Sequence, residues 1–248
     1  MSTKETFADD AHPVPVITLF APQTVGRDIP IVLVAHGFTA HSRWGFYPYV
    51  CSSLSKDAAV LMVDFSMNGY ARTHDVDTEA FAQNTVSREV DELSNLIKRI
   101  RRTPECYIPM EVCKSLSRHV HILGHSRGAS VSLLAALVSD DITSVCCWSP
   151  VADFMRFSQR QCDEWRKTGF RPATSDTASG LRSNVLYLDD IERNRERFRL
   201  ATLLKQSRFP VHVITGGQDM VTTPRSIEKA VAESFRTDVK VNIIPTAG

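Results

Sequence analysis

A serine between two glycines stands in the segment GHSRG (residues 124–128), which matches the pattern G-x-S-x-G. The preceding HVHIL (119–123) predicts a strand, and the following ASVSLLAALVS (129–139) predicts a helix. A sharp strand-to-helix turn lifts a serine hydroxyl above the sheet, beside the free amides and positive dipole of a helix N-terminus. Ser126 is therefore the candidate nucleophile. The alternative is that its hydroxyl only caps the helix.

Attack on an acyl carbon requires donors for the oxygen that becomes negative. The backbone N–H of Arg127, directly after the serine, is the first candidate. The motif AHGF ends the β-branched strand predicted at 29–37, and it supplies the N–H of Phe38 as the second candidate. His36 and His125 lie inside these two motifs, at tight turns where an imidazole can hydrogen-bond the loop backbone. We therefore assign structural roles to both histidines.

A catalytic base needs a carboxylate that orients it. Asp219 lies in the turn after the apolar strand predicted at 209–217, and is the first candidate. Its alternative role is a helix N-cap or an Asx-turn. Asp153, shortly after another predicted strand, is the second candidate. Asp64 also ends a strand, but it precedes Ser126 and so breaks the chain order serine, acid, histidine.

The base itself is expected at the very end of the sequence. None of the eight histidines follows Asp219, and His212 lies within a predicted buried strand. Typical helix, strand and loop lengths place the next suitable position roughly 30 residues after the acid. We therefore expect the catalytic histidine just beyond Gly248, in a longer protein of which this chain is a part.

The elements that must position these residues alternate along the chain. Strands are predicted at 14–20, 29–37, 58–65, 119–123, 142–149, 209–217 and 239–245, and helices near 46–56, 76–102, 129–139 and 224–235. Such alternation predicts an α/β domain with a mostly parallel sheet and helices on both faces. The carboxyl ends of the strands then share one rim, where ligands bind.

One stretch, residues 150–205, interrupts the alternation. It is rich in charged and aromatic residues, as in DEWRKTGF and DDIERNRERFRL, and it is longer than an ordinary connection. We interpret it as an inserted, mostly helical cap over the rim. The chain is thus predicted to form a single domain over 1–248, whose core comprises 1–149 and 206–248.

Composition narrows the classes of function. The chain has 248 residues, of which 43% are hydrophobic, enough for one large core. Its 29 basic and 28 acidic residues give a net charge of +1, so we expect neither nucleic acid nor a membrane as partner. No apolar run of about 18 residues occurs, and the N-terminus lacks a signal-peptide pattern. Six cysteines without paired C-x-x-C spacing predict free thiols in the cytoplasm.

The order HGF, GHSRG, GGQD resembles the α/β-hydrolase superfamily. The stretches HGFTAHSRWGFYPYV, VDFSMNGY, FAQNTVSREVDEL, EWRKTGF and ERNRERF are similar to bacterial serine hydrolases of the dienelactone-hydrolase-like and acyl-peptidase-like group. The resemblance implies the α/β-hydrolase fold, Ser126 as nucleophile, Asp219 as acid, Phe38 and Arg127 as oxyanion donors, and a cap at 150–205. Dienelactone hydrolases carry cysteine as nucleophile, which argues against their substrate here. Relatives typically continue an ending like IPTAG into the catalytic histidine.

The expected function is a serine hydrolase that cleaves a carboxylic ester of a small-molecule substrate through an acyl-enzyme, with a thioester or small amide as alternative bonds. No metal or organic cofactor is expected. A different class remains open, namely a catalytically inactive hydrolase-fold protein that serves as a binding or scaffold module. Trp44, Phe46, Tyr47, Trp165 and Phe170 either line an acyl pocket or pack within the cap and core.

Overall fold

A computed structural model describes residues 14–23, 26, 28–70, 76–140, 142–173 and 180–248. The strands are β1 (Val16–Phe20), β2 (Ile29–Ala35), β3 (Ala59–Asp64), β4 (Leu116–His125), β5 (Ser144–Trp148), β6 (Phe170–Pro172), β7 (Arg182–Asn184), β8 (Val211–Gly216) and β9 (Lys240–Ile244). The α-helices are α1 (Tyr47–Leu54), α2 (Thr78–Ala82), α3 (Val86–Arg102), α4 (Met110–Cys113), α5 (Arg127–Leu137), α6 (Gln159–Thr168), α7 (Val185–Arg193), α8 (Leu200–Gln206) and α9 (Pro224–Ser234).

Seven strands form one sheet in the order β1-β3-β2-β4-β5-β8-β9. Only the β1–β3 pair is antiparallel within this described sheet, and the other neighbours run parallel. The predicted α/β fold with a mostly parallel sheet is thus confirmed. The register pairs Ala35 of β2 with Gly124 of β4, so the motifs AHGF and GHSRG leave the sheet side by side.

Apolar side chains pack on both faces of the sheet. All six residues of β3 are buried, as a continuous apolar run requires. Leu33 and Ala35 of β2 belong to the cluster formed with α3, α5, α8 and α9, whereas Val34 belongs to the cluster formed with α1. Successive residues of a strand point to opposite faces, so this strand holds two helical layers together.

The helix predicted over 76–102 is two helices. Asp77 caps α2 by accepting a hydrogen bond from the Ala80 N–H, and Thr85 caps α3 by accepting one from the Arg88 N–H. Each cap satisfies an amide that a continuous helix would have bonded internally. The chain therefore restarts between the two caps, although the apolar spacing continues across them.

The segment between β5 and β8 contains α6, the antiparallel hairpin β6–β7, α7 and α8. Ser158 and Gln161 form a capping box at the start of α6, and Gly169 ends the helix with φ 81°. Helix α7 packs against α3 and α6, whereas α8 packs against α5 and α9. Within the described part of the chain, no helix combines the length and apolar character needed to cross a bilayer.

Candidate active site

Ser126 occupies a tight turn between β4 and α5, with φ 53° and ψ −118°. The flanking glycines explain how the chain turns there. A Cβ on Gly124 would lie 2.4 Å from Cα of Ala129, and a Cβ on Gly128 would lie 2.3 Å from the carbonyl oxygen of His36. Among the described residues, the Ser126 hydroxyl makes no N-cap hydrogen bond. The turn therefore leaves the hydroxyl available.

The two candidate oxyanion donors lie beside this serine. The N–H of Ser126 donates to the carbonyl of Trp148 at 2.7 Å, which leaves the next amide, that of Arg127, as the first one available. Neither the Arg127 N–H nor the Phe38 N–H has a hydrogen-bond partner within the described chain. Phe38, Ser126 and Arg127 line the same cavity. The arrangement brings together a hydroxyl and two free amide donors.

The histidines of the two motifs hold the loops in place. His36 Nδ1 donates to the Gly37 carbonyl at 2.8 Å, and its Nε2 accepts from the N–H of Phe65 at 3.3 Å. His125 Nδ1 is 2.9 Å from the hydroxyl of Tyr47, which also accepts from the Gly37 N–H at 2.9 Å. Burial lowers the pKa of His125, although Asp219 acts in the opposite direction. Both rings thus fix the loops, in agreement with the sequence prediction.

Asp219 follows β8 on the same rim. Its Oδ1 accepts hydrogen bonds from the N–H groups of Val221 and Thr222, both at 2.8 Å, and its Oδ2 accepts from the Thr222 hydroxyl at 2.6 Å. Burial tends to raise the pKa of this carboxyl, but the hydrogen bonds from Thr222, Val221 and Ser149 outweigh it and lower the pKa. The hydrogen bond from the Val221 N–H forms the Asx-turn that we considered as the alternative role of Asp219. The same hydrogen bonds hold the charged carboxylate in one orientation.

The other two aspartates have local partners. Oδ1 of Asp153 accepts from the Met155 N–H at 2.8 Å, within the turn after β5. Oδ1 of Asp64 accepts from the Ser42 N–H at 2.6 Å. Asp64 ends β3, and in the sheet β3 and β8 lie on opposite sides of β4. Strands β4 and β8 are separated by β5 alone, so the serine and Asp219 leave the sheet two strand spacings apart, about 10 Å.

The residues after β9 fold back against the Asp219 turn. The Gly217 N–H donates to the carbonyl of Ile244 at 2.7 Å, and the Gln218 N–H donates to that of Ala247 at 2.8 Å. A Cβ on Gly248 would lie 3.2 Å from Cβ of Gln218, the residue before the acid. His212 points instead to Asn242, with Nε2 2.7 Å from Oδ1, within the β8–β9 pair. No described histidine hydrogen-bonds Asp219.

A cavity of about 520 Å³ lies between the rim and the inserted segment. Four aromatic residues of that segment line it: Phe154, Phe157, Trp165 and Tyr187. Of the aromatic residues considered from sequence, only Trp165 is among the lining residues, whereas Phe170 and Trp44 are exposed. A second cavity, of about 570 Å³, lies near the end of α5 and contains none of the candidate site residues.

A buried ion pair supports the turn from beneath. Nε of Arg127 lies 2.7 Å from Oε2 of Glu89, and the two side chains are 3% and 4% exposed. The guanidinium carbon is 5.2 Å from the ring centroid of Phe38 and 5.0 Å from that of Tyr187. Burial acts to lower the pKa of Arg127, but Glu89 outweighs it and raises the pKa. Sequence analysis missed Glu89, which lies 38 positions away in the helix α3.

The described residues contain no group of three or more His, Cys, Asp or Glu side chains arranged to hold a metal ion.

Comparisons with known proteins agree with the fold. Est1E from Butyrivibrio proteoclasticus has a TM-score of 0.68 at 17% identity, covering 98% of this chain and 89% of that chain. Alpha/beta hydrolase domain-containing protein 10 from mouse has a TM-score of 0.66 at 15% identity, covering 100% and 90%. A monoacylglycerol lipase from Paleococcus ferrophilus has a TM-score of 0.64 at 15% identity, covering 94% and 89%. At these identities the likeness concerns the fold alone.

At the sequence level, a search of curated proteins finds no match. The profile of the alpha/beta hydrolase family, in contrast, matches residues 31–248. That stretch contains the strand–turn–helix around Ser126, the AHGF loop and the turn of Asp219. The chain therefore belongs to the α/β-hydrolase family.

Proposed function

We propose that this protein is a serine hydrolase that cleaves a carboxylic ester through an acyl-enzyme on Ser126. The observation that carries the proposal is that Ser126, Phe38 and Arg127 line one cavity and that the N–H groups of Phe38 and Arg127 have no hydrogen-bond partner in the described chain. A tetrahedral intermediate needs this combination of one nucleophile and two donors. Family membership supports hydrolysis as the reaction class.

The reaction proceeds in two steps. The Ser126 oxygen attacks the carbonyl carbon, the C=O π bond opens, and the negative oxygen accepts hydrogen bonds from the two amides. The base that takes the serine proton returns it to the leaving alcohol as the intermediate collapses to an acyl-enzyme. Water, deprotonated by the same base, then attacks the acyl carbon; the bond from that carbon to the Ser126 oxygen breaks, the base returns the proton to Ser126, and the acid is released. Asp219 holds the base and stabilises its positive charge, a role that fits its lowered pKa.

We propose that the base is a histidine that follows Gly248. Support comes from the contact of residues 245–248 with the turn that carries Asp219, especially the hydrogen bond from Gln218 to Ala247. A residue placed immediately after this contact starts next to the carboxylate. The proposal does not involve His36, whose two ring nitrogens bind Gly37 and Phe65, or His125, whose Nδ1 binds Tyr47.

An ester is the bond that the similar structures favour. Est1E has been solved with ferulic acid bound, and the Paleococcus ferrophilus protein is a monoacylglycerol lipase. A thioester or a small amide remains an alternative bond for the same groups.

We further propose the segment 150–205 as the cap of the site and a small-molecule acyl compound as substrate. All six cysteines are unpaired, which supports the cytoplasm as the location.

The second candidate is a catalytically inactive binding or scaffold protein, and the observation that favours it is the lack of a described histidine on Asp219. Against it stands the backbone of Ser126, because a non-glycine residue at φ 53° costs about 1–3 kcal/mol. A binding module has no need of a strained serine between two free amides. We therefore favour the hydrolase.

A fluorophosphonate probe tests the proposal on the full gene product. Such probes form a covalent bond to an activated serine, and we expect one adduct, located at Ser126 by peptide mass spectrometry. The variant Ser126→Ala should give none. Replacing the first histidine after Gly248 by alanine should strongly reduce the rate of labelling. Absence of labelling in folded protein would reject the hydrolase in favour of the binding module.

A further inference from the structure

The wall of the cavity beside Ser126 carries an excess of positive charge. Arg127, Arg156 and Arg171 line it, and none of its lining residues among those described is an aspartate or glutamate. The charge of Arg127 is matched by Glu89. Within the described chain, no carboxylate forms an ion pair with the two arginines of the inserted segment, Arg156 and Arg171.

Aromatic rings pack along the same wall. Trp165 and Tyr187 stack with ring centroids 6.0 Å apart and an interplanar angle of 16°. Phe157 meets Trp165 edge-on at 5.4 Å, and the guanidinium carbon of Arg171 lies 5.0 Å from the Phe157 ring centroid. Trp165 and Tyr187 are only 3% and 9% exposed, so the half-buried ring of Phe157 is the face that an aromatic ring of a ligand can meet. A cavity of about 520 Å³ is ample for such a ring with substituents at both ends.

Arg156 and Arg171, which have no carboxylate partner among the described residues, indicate what one of those substituents should be. A guanidinium presents its N–H groups in a planar fork that matches a carboxylate in two parallel hydrogen bonds. Arg171 is half-buried beside the Phe157 ring, where charge attraction is stronger than at an open surface, whereas Arg156 is exposed. In addition, both terminal nitrogens of the buried Arg127 have no hydrogen-bond partner among the described residues. An anion in the cavity would offset this positive potential.

We propose that the cavity selects esters joined to an aromatic ring that bears a carboxylate, with Arg171 and Arg156 as its specificity-determining residues. The inference rests on the proposed function, since it takes the ester end of the substrate to lie at Ser126. The ring of Phe157, backed by the buried rings of Trp165 and Tyr187, would hold the aromatic part. Beyond them, the two guanidinium groups would bind the carboxylate.

Binding of compounds that cannot be hydrolysed tests this proposal without catalysis. 4-Acetylbenzoate and 3-(4-acetylphenyl)propanoate have a ketone in place of the ester and a distal carboxylate at two distances from it. Their primary amides have nearly the same shape and no charge. By titration calorimetry, we expect at least one carboxylate to bind about tenfold or more tightly than its amide, as for a hydrogen bond to a charged group.

Variants identify the residues responsible. Arg171→Gln and Arg156→Gln should each reduce the preference for the carboxylate, and the double variant should abolish it while amide binding persists. Arg195→Gln is the matched control, because Arg195 is an exposed arginine of the same segment that does not line the cavity. It should leave the preference unchanged. Thermal unfolding of each variant verifies that the fold is intact.

Two results would overturn the inference: carboxylates that bind no more tightly than their amides, or a preference that survives in the double variant. These outcomes are separate from the test of the hydrolase. Labelling of Ser126 without carboxylate preference would retain the hydrolase and reject the anion site. Carboxylate preference without labelling would retain the anion site on a protein that is not a serine hydrolase.

Discussion

Replacing Glu89 by glutamine removes the charge that partners the buried guanidinium of Arg127 while keeping the shape of the side chain. Both groups are almost fully buried, and the terminal nitrogens of Arg127 have no other hydrogen-bond partner in the described chain. Deleting one member of a buried ion pair leaves an uncompensated charge, which typically costs about 3–5 kcal/mol. We expect the free energy of unfolding to fall by this amount.

Urea denaturation measures the loss. With a slope of about 3 kcal/mol/M, the midpoint should move down by about 1–1.7 M at unchanged slope. The control is Glu192→Gln, which breaks the exposed pair with Arg166, whose side chains are 43% and 36% exposed. Its midpoint should stay near that of the parent, because exposed pairs contribute little.

A double variant isolates the cause. Glu89→Gln combined with Arg127→Met removes both charges and keeps the backbone N–H that we propose as an oxyanion donor. It should recover much of the lost stability, since no uncompensated charge remains. If Glu89→Gln unfolds at the same urea concentration as Glu192→Gln, the buried pair does not stabilise the turn and the reasoning is wrong.

Two other perturbations test the core beside the site. Burial raises the pKa of Glu92 from 4.5 to about 7 despite hydrogen bonds from Ser66, so the folded state holds a proton that the unfolded state releases. The carboxyl therefore contributes its full stabilisation below pH 4.5, and this contribution declines as the pH rises to about 7. In Glu92→Gln, whose side chain does not titrate, the free energy of unfolding should no longer fall with pH over this range for that reason. Gly128→Ala should prevent soluble expression or lower the melting temperature strongly, because its Cβ would meet the carbonyl of His36 at 2.3 Å. Gly26→Ala, with no atom within 4 Å of its Cβ, should melt like the parent, and equal melting of both variants would contradict the close packing of the turn.

The sequence predicts best those features that depend on neighbouring residues. The strand, turn and helix around Ser126 follow from one continuous stretch, and so does the placement of Asp219 after β8. The division of the helix predicted over 76–102 was missed, because apolar periodicity is insensitive to an internal cap such as Thr85. Local patterns therefore fix the type of an element more securely than its ends.

Contacts between distant segments could not be predicted. The pairing of Arg127 with Glu89 joins two helices, and both residues stand in stretches where an exposed charge is the ordinary expectation. Phe154 and Phe157 line the cavity, and the cap predicted over 150–205 contains both, but nothing in its composition singles them out from its other residues. Their position just after a strand end is the one signal that could have indicated them.

The turn that carries Ser126 packs so closely against β2 that it limits the substitutions that the site can accept. A Cβ on Gly37 would lie 3.3 Å from Cβ of Ser126, and one on Gly128 would overlap the backbone of β2. Close packing of the two turns on adjacent strands thus sets the spacing between the N–H groups of Phe38 and Arg127. Substitutions cannot adjust this spacing gradually, so in the hydrolase that we propose new substrates must be accommodated by those side chains of the segment 150–205 that line the cavity. Natural variation in specificity should accumulate there.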